Sequence, residues 1–400
     1  MDLNIIKKLK KPSDTKIVLM VIDGLGGLPG ENGLTELEAA HTPNLDKLAT
    51  KSICGLQQPV APGITPGSGP GHLSLFGYNP IKYQVGRGVL SAAGIDFKLK
   101  KGDISARGNF CEVNKNEEVV DRRAGRIPSE KNQQLCEILR DIEIPGVEIH
   151  VETVKEYRFL LVIRGENLSA DISDTDPQEI GKKPLDPKPL SEEAKKTAEI
   201  VNSFINQAQK KLKDQHPANM VLLRGFSKKP DWPTMNETYG LKAAAIASYP
   251  MYRGISRLLG MNVLETGEEI AEEFETLEKN WDNFDFFYVH IKKTDSYGED
   301  GDYNKKLKEI ERVDNQISRV IDLNPDVLIV TGDHSTPSQL EYHSWHPVPV
   351  LLYSGRCRVD EVKIFGERSC TKGGLGCRFP GEDLMPLAMA NAERLEKFGA

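Results

Sequence analysis

Lys16-Ile17-Val18-Leu19-Met20-Val21-Ile22-Asp23-Gly24 (KIVLMVIDG) is the stretch that decides the fold. The run from Ile17 to Ile22 has no polar face, which predicts a strand buried on both sides, as in a parallel sheet, rather than a half-exposed strand with alternating character. It stops at Asp23-Gly24, so the strand delivers a carboxylate to its C-terminal edge, where ligands collect in open α/β sheets. Three later stretches repeat the pattern: Phe284 to Ile291 (FDFFYVHI), Asp326 to Val330 ahead of Thr331-Gly332-Asp333-His334, and Val348 to Tyr353. Helices are predicted between and after them. One opens at Thr42-Pro43 and runs to about Lys51, one spans Asp302 to Asp322 with Leu307, Ile310, Val313, Ile317, Val320 and Ile321 at helical spacing, and one closes the chain from Asp383 to Lys397. Strand alternating with helix is the signature of an α/β core, here with a mostly parallel sheet flanked by helices.

The middle of the chain has a different texture. From about Asp96 to Asn236 it carries charged, β-like segments (Asp96 to Val113, Glu117 to Asp121, Glu148 to Val154, Tyr157 to Ile163), a proline-bearing loop from Gly165 to Pro189, and an amphipathic helix from Ser191 to Lys213. This reads as a smaller α+β domain, residues 97–236, inserted into a discontinuous core of residues 1–96 and 237–400. A length of 400 residues allows two or three domains, and this division uses two.

Composition limits the function classes. The chain has 52 Lys plus Arg against 59 Asp plus Glu, a net charge of −7, which argues against broad nucleic-acid binding. The apolar run from Ile17 to Ile22 is the longest in the chain, far short of the roughly 20 residues that cross a bilayer, so no membrane role is expected. None of the six cysteines stands in a Cys-x-x-Cys pair, and the N-terminal segment lacks a signal-peptide apolar region; both fit a reduced, cytoplasmic protein.

Asp23, Asp295, Asp333, His334 and His343 all follow predicted strands. A strand-edge aspartate alone also serves as a helix cap or turn residue. The Thr-Gly-Asp-His corner says more, because it puts a hard oxygen and an imidazole on consecutive residues, a combination suited to Zn²⁺ or Mn²⁺. Ser68 sits in TPGSGPGH (Thr65 to His72), a glycine-rich turn that exposes its hydroxyl. No Gly-x-Ser-x-Gly elbow or Walker loop surrounds it, which leaves metal activation as the way to make this serine nucleophilic. In the insert, Arg107-Gly108-Asn109 and Asp121-Arg122-Arg123-Ala124-Gly125-Arg126 read either as a solvated face or as a grip for a small anionic substrate at the domain interface.

Together these residues spell a family. KIVLMVIDGLGG, the Thr-Pro-Asn-Leu-Asp run at 42 to 46, TPGSGPGHLSLFGYNP, RGNF, DRRAGRI, HIKKTD, TGDHSTP and HSWHPVPVLL occur in this order. Over residues 16 to about 390 the chain resembles the archaeal-type cofactor-independent (2,3-bisphosphoglycerate-independent) phosphoglycerate mutases of the alkaline phosphatase superfamily. The resemblance implies a metal-bearing, phosphatase-like core interrupted by a transferase domain. It implies interconversion of 3-phosphoglycerate and 2-phosphoglycerate through phosphoserine at Ser68, with no 2,3-bisphosphoglycerate. Position by position, it implies one metal site at Asp23, Ser68, Asp333 and His334 and a second at Asp295, the residue four later, and His343. Substrate binding falls to Arg107, Asp121, Arg122 and Arg126, and His72 supports the serine loop through hydrogen bonding.

One departure stands out. The family's Gly-His-Asp-Gly is here Gly298-Glu299-Asp300-Gly301, so Glu299 occupies the histidine ligand's place. A carboxylate there shifts two expected divalent ions toward Mn²⁺, ahead of Mg²⁺, Co²⁺ and Zn²⁺; the opposing reading turns Glu299 to solvent, with His346 as a possible replacement. The expected partner is a small phosphorylated carboxylate. Competing activities on the same scaffold are phosphopentomutase-like, phosphomonoesterase or amino-acid-hydroxyl kinase-like chemistry, and a different class is a non-catalytic binder of phosphometabolites.

Overall fold

The computed structural model describes residues 2–399. An eight-stranded sheet runs in the order Gly376–Pro380, Ser52–Gln58, Val348–Ser354, Val327–Thr331, Ile17–Ile22, Phe286–Ile291, Ala243–Ile246, Asn262–Leu264. The five strands from Val327–Thr331 to Asn262–Leu264 are mutually parallel. Ile17–Ile22 is central, its register set by pairs such as Leu19 with Tyr288 and with Ile329. All six of its side chains are fully buried, so truncating Leu19 to alanine would cost about 2–5 kcal/mol. Val348–Ser354 departs from the parallel expectation and runs antiparallel to Val327–Thr331. The connection from Gly332 to Pro347 holds no crossover helix of the kind that usually joins parallel neighbours.

Contacts divide the chain into two units, with Val85–Asp231 forming the second and the chain on either side forming the first. The boundaries therefore lie at 84/85 and 231/232, not at 96/97 and 236/237. The second unit holds an antiparallel sheet in which Ile104–Val113 is flanked by Arg158–Arg164 and Met220–Ser227, with Glu148–Lys155 beyond the former. Its core gathers Phe110, Phe159, Phe204 and Leu222 beneath the helices Ser129–Arg140 and Lys195–Leu212.

Some segment readings need correction. The strand expected from Asp96 begins only at Ile104, and Arg87–Gly94 ahead of it is a helix. The helix expected over Asp302 to Asp322 is two, Tyr303–Asp314 and Ile317–Asp322. At the break, the Asp314 carboxylate accepts from the backbone N–H groups of Asn44 and Leu45, capping the helix Pro43–Ala49. No helix among the described residues is long and apolar enough to cross a membrane.

Candidate active site

In the first unit, three parallel strands end at one edge and bring their C-terminal residues together. Asp23 follows Ile17–Ile22, Asp333 and His334 follow Val327–Thr331, and Asp295 lies in the first turn of the helix Lys293–Glu299 after Phe286–Ile291. Gly24 lets the first two loops meet: it adopts φ +64°, and a Cβ there would stand 2.6 Å from Thr336 Oγ1. The ligand atoms of Asp23, Asp333 and His334 lie within 4.8 Å of one another, as do those of Asp295, His334 and His343.

Ser68 joins this cluster, with Oγ 3.3 Å from His334 Nε2. The turn expected around it is the start of a helix, Ser68–Leu75, preceded by extended Gly67. Pro70 in the first turn loses no hydrogen bond, since the leading N–H groups of a helix have no partner within it. Gly71 is required by packing, because a Cβ there would sit 2.4 Å from the Asp333 carbonyl oxygen. His72, on the same helix, shares a hydrogen bond of 2.8 Å between Nδ1 and the Ser68 carbonyl and also lies 3.2 Å from Asp333 Oδ2.

Charge is concentrated in this buried space. Burial opposes ionisation of Asp333, but His334 and then His72 hold its carboxyl well below the usual range. Burial likewise disfavours a charged His334 ring, yet Asp333, followed by Asp295 and Asp23, holds it up to about 9. Lys292 spans Asp23 Oδ2, at 3.2 Å, and Asp295 Oδ2, with which it is in close contact. Thr336 Oγ1 donates to Asp295 Oδ1 at 2.7 Å and lies 3.0 Å from His334 Nδ1. A hydroxyl has one proton, and the carboxylate takes it, so toward His334 it can only accept. Nδ1 therefore donates to Thr336, and Nε2 is the ring nitrogen that faces Ser68, Asp23 and Asp333.

The second group is less closed. His343 Nε2 is 3.5 Å from Asp295 Oδ1 and 3.8 Å from Glu299 Oε1, while the Glu299 side chain is 54% exposed. His346 is directed elsewhere, with Nδ1 on Ser344 Oγ at 3.0 Å and its ring stacked on Trp345.

In the second unit the structure gathers a different arginine set from the one read in the sequence. Arg107 and Arg224 are direct cross-strand partners on antiparallel strands, so their side chains share a face. Burial, then Arg87, Arg158 and Arg224, pull the Arg107 guanidinium down to about 9, and its buried Nε has no hydrogen-bond partner among the described residues. Arg122 instead forms a bidentate pair with Asp176 at 2.9 and 2.7 Å, and Asp176 lies 3.4 Å from Arg224. Asp121 caps its own turn, accepting from the N–H groups of Arg123 and Gly125, and Arg126 is exposed.

Sequence reasoning passed over Arg87, Arg158 and Arg224, along with Lys292, Thr336, and the Tyr252 and His290 rings beside Asp23. A signal for part of the arginine set exists: Arg87, Arg107 and Arg224 each precede a glycine. A Cβ on Gly88 would strike the Ser105 carbonyl and one on Gly225 the Arg87 backbone, so these glycines allow the segments to approach. Arg164-Gly165 and Arg253-Gly254 are the false positives, since Arg164 pairs with Asp103 and Arg253 with Glu265.

Comparison with known proteins adds to this geometry. A family model described as 2,3-bisphosphoglycerate-independent phosphoglycerate mutase matches residues 49–219. The chain is 50% identical over 398 residues to the probable 2,3-bisphosphoglycerate-independent phosphoglycerate mutase of Thermosipho melanesiensis, covering 99% of this chain and 98% of the relative. It is 51% identical over 408 residues to the protein of the same description in Aquifex aeolicus, covering 100% of both. Among solved structures, a Pyrococcus horikoshii protein superposes with a TM-score of 0.84 at 31% identity, covering 98% of this chain and 100% of that one. The cofactor-independent phosphoglycerate mutase of Thermoplasma acidophilum gives 0.71 at 31% identity, covering 94% and 100%.

Proposed function

Since the chain belongs to the 2,3-bisphosphoglycerate-independent phosphoglycerate mutases, a family of isomerases, we propose that it interconverts 3-phosphoglycerate and 2-phosphoglycerate through a phosphoserine at Ser68, with divalent cations held beside it. The observation that carries this reading is Ser68 Oγ at 3.3 Å from His334 Nε2, against the Asp23, Asp333 and His334 group.

The donor set suits cations. Asp23 Oδ1 and Asp333 Oδ2 are buried with no well-aligned hydrogen bond among the described residues, facing only the ring nitrogens of His334, at 3.4 and 3.1 Å, and, for Asp333, of His72 at 3.2 Å; an ion between them would satisfy carboxylates and imidazole together. Asp23, Asp333 and His334 Nε2, with Ser68, would hold one ion. Because Thr336 engages His334 Nδ1, Asp295 and His343 would hold the other with Glu299 as the third ligand. Four carboxylates and two imidazoles favour Mn²⁺. Bound there, such ions would lower the pKa of the serine hydroxyl and offset charge on the phosphoryl oxygens.

Ser68 begins a helix, so its Oγ stands at the positive end of the helix dipole, where a phosphoryl group is favoured. In the first half-reaction the Oγ–phosphorus bond forms, the bond from phosphorus to O3 of the glycerate breaks, and O3 takes the proton that Oγ gives up. In the second, O2 attacks phosphorus, the Oγ–phosphorus bond breaks, and the proton from O2 returns to Oγ. The unit Val85–Asp231 would be the substrate-handling domain, with Arg107, Arg87, Arg158 and Arg224 taking the carboxylate through bidentate hydrogen bonds. Six unpaired thiols support a cytoplasmic location.

The test is a coupled assay converting 3-phosphoglycerate to 2-phosphoglycerate in the absence of 2,3-bisphosphoglycerate, before and after chelation. Activity that chelation removes and Mn²⁺ restores is expected. Phosphate release with no 2-phosphoglycerate would make the chain a phosphomonoesterase and overturn the proposal.

A further inference from the structure

Lys306, on the helix Tyr303–Asp314, is fully buried, and its ammonium reaches two carbonyl oxygens on different loops. Nζ donates to Gly26 O at 3.1 Å and to Thr336 O at 2.8 Å. Gly26 belongs to the loop that follows Asp23, and Thr336 to the loop that follows Asp333 and His334. The same loops are joined by the Thr336 N–H, which donates to Gly26 O at 3.0 Å. The nearest carboxylate, Glu36, stands 3.9 Å away with the facing oxygen already bonded to Ser338 N–H and Oγ. The short contacts of this ammonium are thus to the two loop carbonyls.

An apolar side chain of similar length would fill this space without the cost of burying an ammonium. It could not bind both carbonyls. Holding the Thr336 carbonyl fixes the residue whose hydroxyl donates to Asp295 Oδ1 and engages His334 through Nδ1, turning Nε2 toward Ser68. We infer that Lys306 is a positioning residue for the cation site: through the carbonyls of Gly26 and Thr336 it sets the Thr336 hydroxyl, which holds Asp295 and His334 in their ligand orientations. This inference rests on the cation binding proposed above and assigns a role to a residue that touches neither metal nor substrate.

The test is Mn²⁺ titration of the metal-stripped, full-length protein without substrate, followed by electron paramagnetic resonance, for wild type, Lys306→Met, Thr336→Val and the double variant. Loss of an outer-shell partner of this kind costs about 10–100-fold in metal affinity. That loss is expected in Lys306→Met and in Thr336→Val, with excess Mn²⁺ restoring kcat and the KM for 3-phosphoglycerate unchanged. The double variant should bind no more weakly than the worse single one, because both substitutions break one relay. Additive losses, or wild-type affinity in Lys306→Met, overturn the inference while leaving the cation reading intact. A wild-type chain that binds no Mn²⁺ overturns both. Should Lys306→Met fail to fold, Lys306→Gln, too short to bond both carbonyls, takes its place: binding weakened as in Thr336→Val supports the relay, and wild-type binding overturns it.

Discussion

Ser68 Oγ and His334 Nε2 lie 3.3 Å apart beside the buried carboxylates of Asp23 and Asp333. The contact admits two chemistries, an imidazole taking the serine proton directly or an imidazole and a serine sharing a cation. The carboxylates of Asp23 and Asp333, which converge on the same Nε2 at 3.4 and 3.1 Å, favour the second. Exhaustive chelation should therefore lower kcat by at least about 100-fold, with recovery on adding Mn²⁺. Activity that persists in rigorously metal-free buffer would assign the proton to His334.

Glu299, which the family resemblance aligns with a histidine ligand, lies 3.8 Å from His343. Glu299→Gln should lower bound Mn²⁺ from two equivalents to one, while the Asp23, Asp333 and His334 group keeps its ion. Metal analysis after dialysis reads this directly, and two retained equivalents would place Glu299 outside the ligand set.

The cross-strand pair of Arg107 and Arg224 puts two like charges on one face. Like charges directly opposite destabilise a sheet by a few tenths to about 1 kcal/mol, so Arg107→Met should raise the melting temperature. The same change should reduce kcat/KM by roughly 10–150-fold, the equivalent of one or two charge-assisted hydrogen bonds. Arg122→Ala should do the reverse to stability, lowering it by about 1–3 kcal/mol as buried Asp176 loses a bidentate partner. Thermal melts and steady-state kinetics on the two variants separate these roles.

Glu273 is almost fully buried, and burial, then Glu309, push its carboxyl up to about 9 from an ordinary 4.5. The folded chain thus keeps a proton that the unfolded chain releases above about pH 4.5. Stability from this group is complete below that pH and declines through about pH 9, at no more than about 1.4 kcal/mol per pH unit. Glu273→Gln should flatten the decline, visible as a higher melting temperature than wild type at pH 8–9 and little difference at pH 4. Parallel pH profiles in the two proteins would refute the assignment.

The central strand could be read in the sequence because burial on both faces leaves a local trace, six apolar residues ending in a carboxylate. The corners that carry the cluster could be read for the same reason, as Asp23 directly follows one strand and Asp333 and His334 stand two and three residues past the end of another. The helix break at Asn315 and Gln316 was invisible, since Val313 and Ile317 keep their helical spacing across it and both are buried. The arginine set was only partly visible because strand register, a long-range property, brings Arg224 opposite Arg107. Lys306 reads as one more surface lysine in a charged amphipathic helix, and only the packing of two distant loops around it reveals that it is buried.

Rapid quenching after mixing the enzyme with phosphorus-labelled 3-phosphoglycerate, with the labelled site mapped by mass spectrometry, tests the central claim most directly. Label on Ser68 at a level consistent with turnover, absent in a folded Ser68→Ala variant that makes no 2-phosphoglycerate, is the predicted result. Label on another residue, or mutase turnover in Ser68→Ala at the wild-type rate, would contradict it.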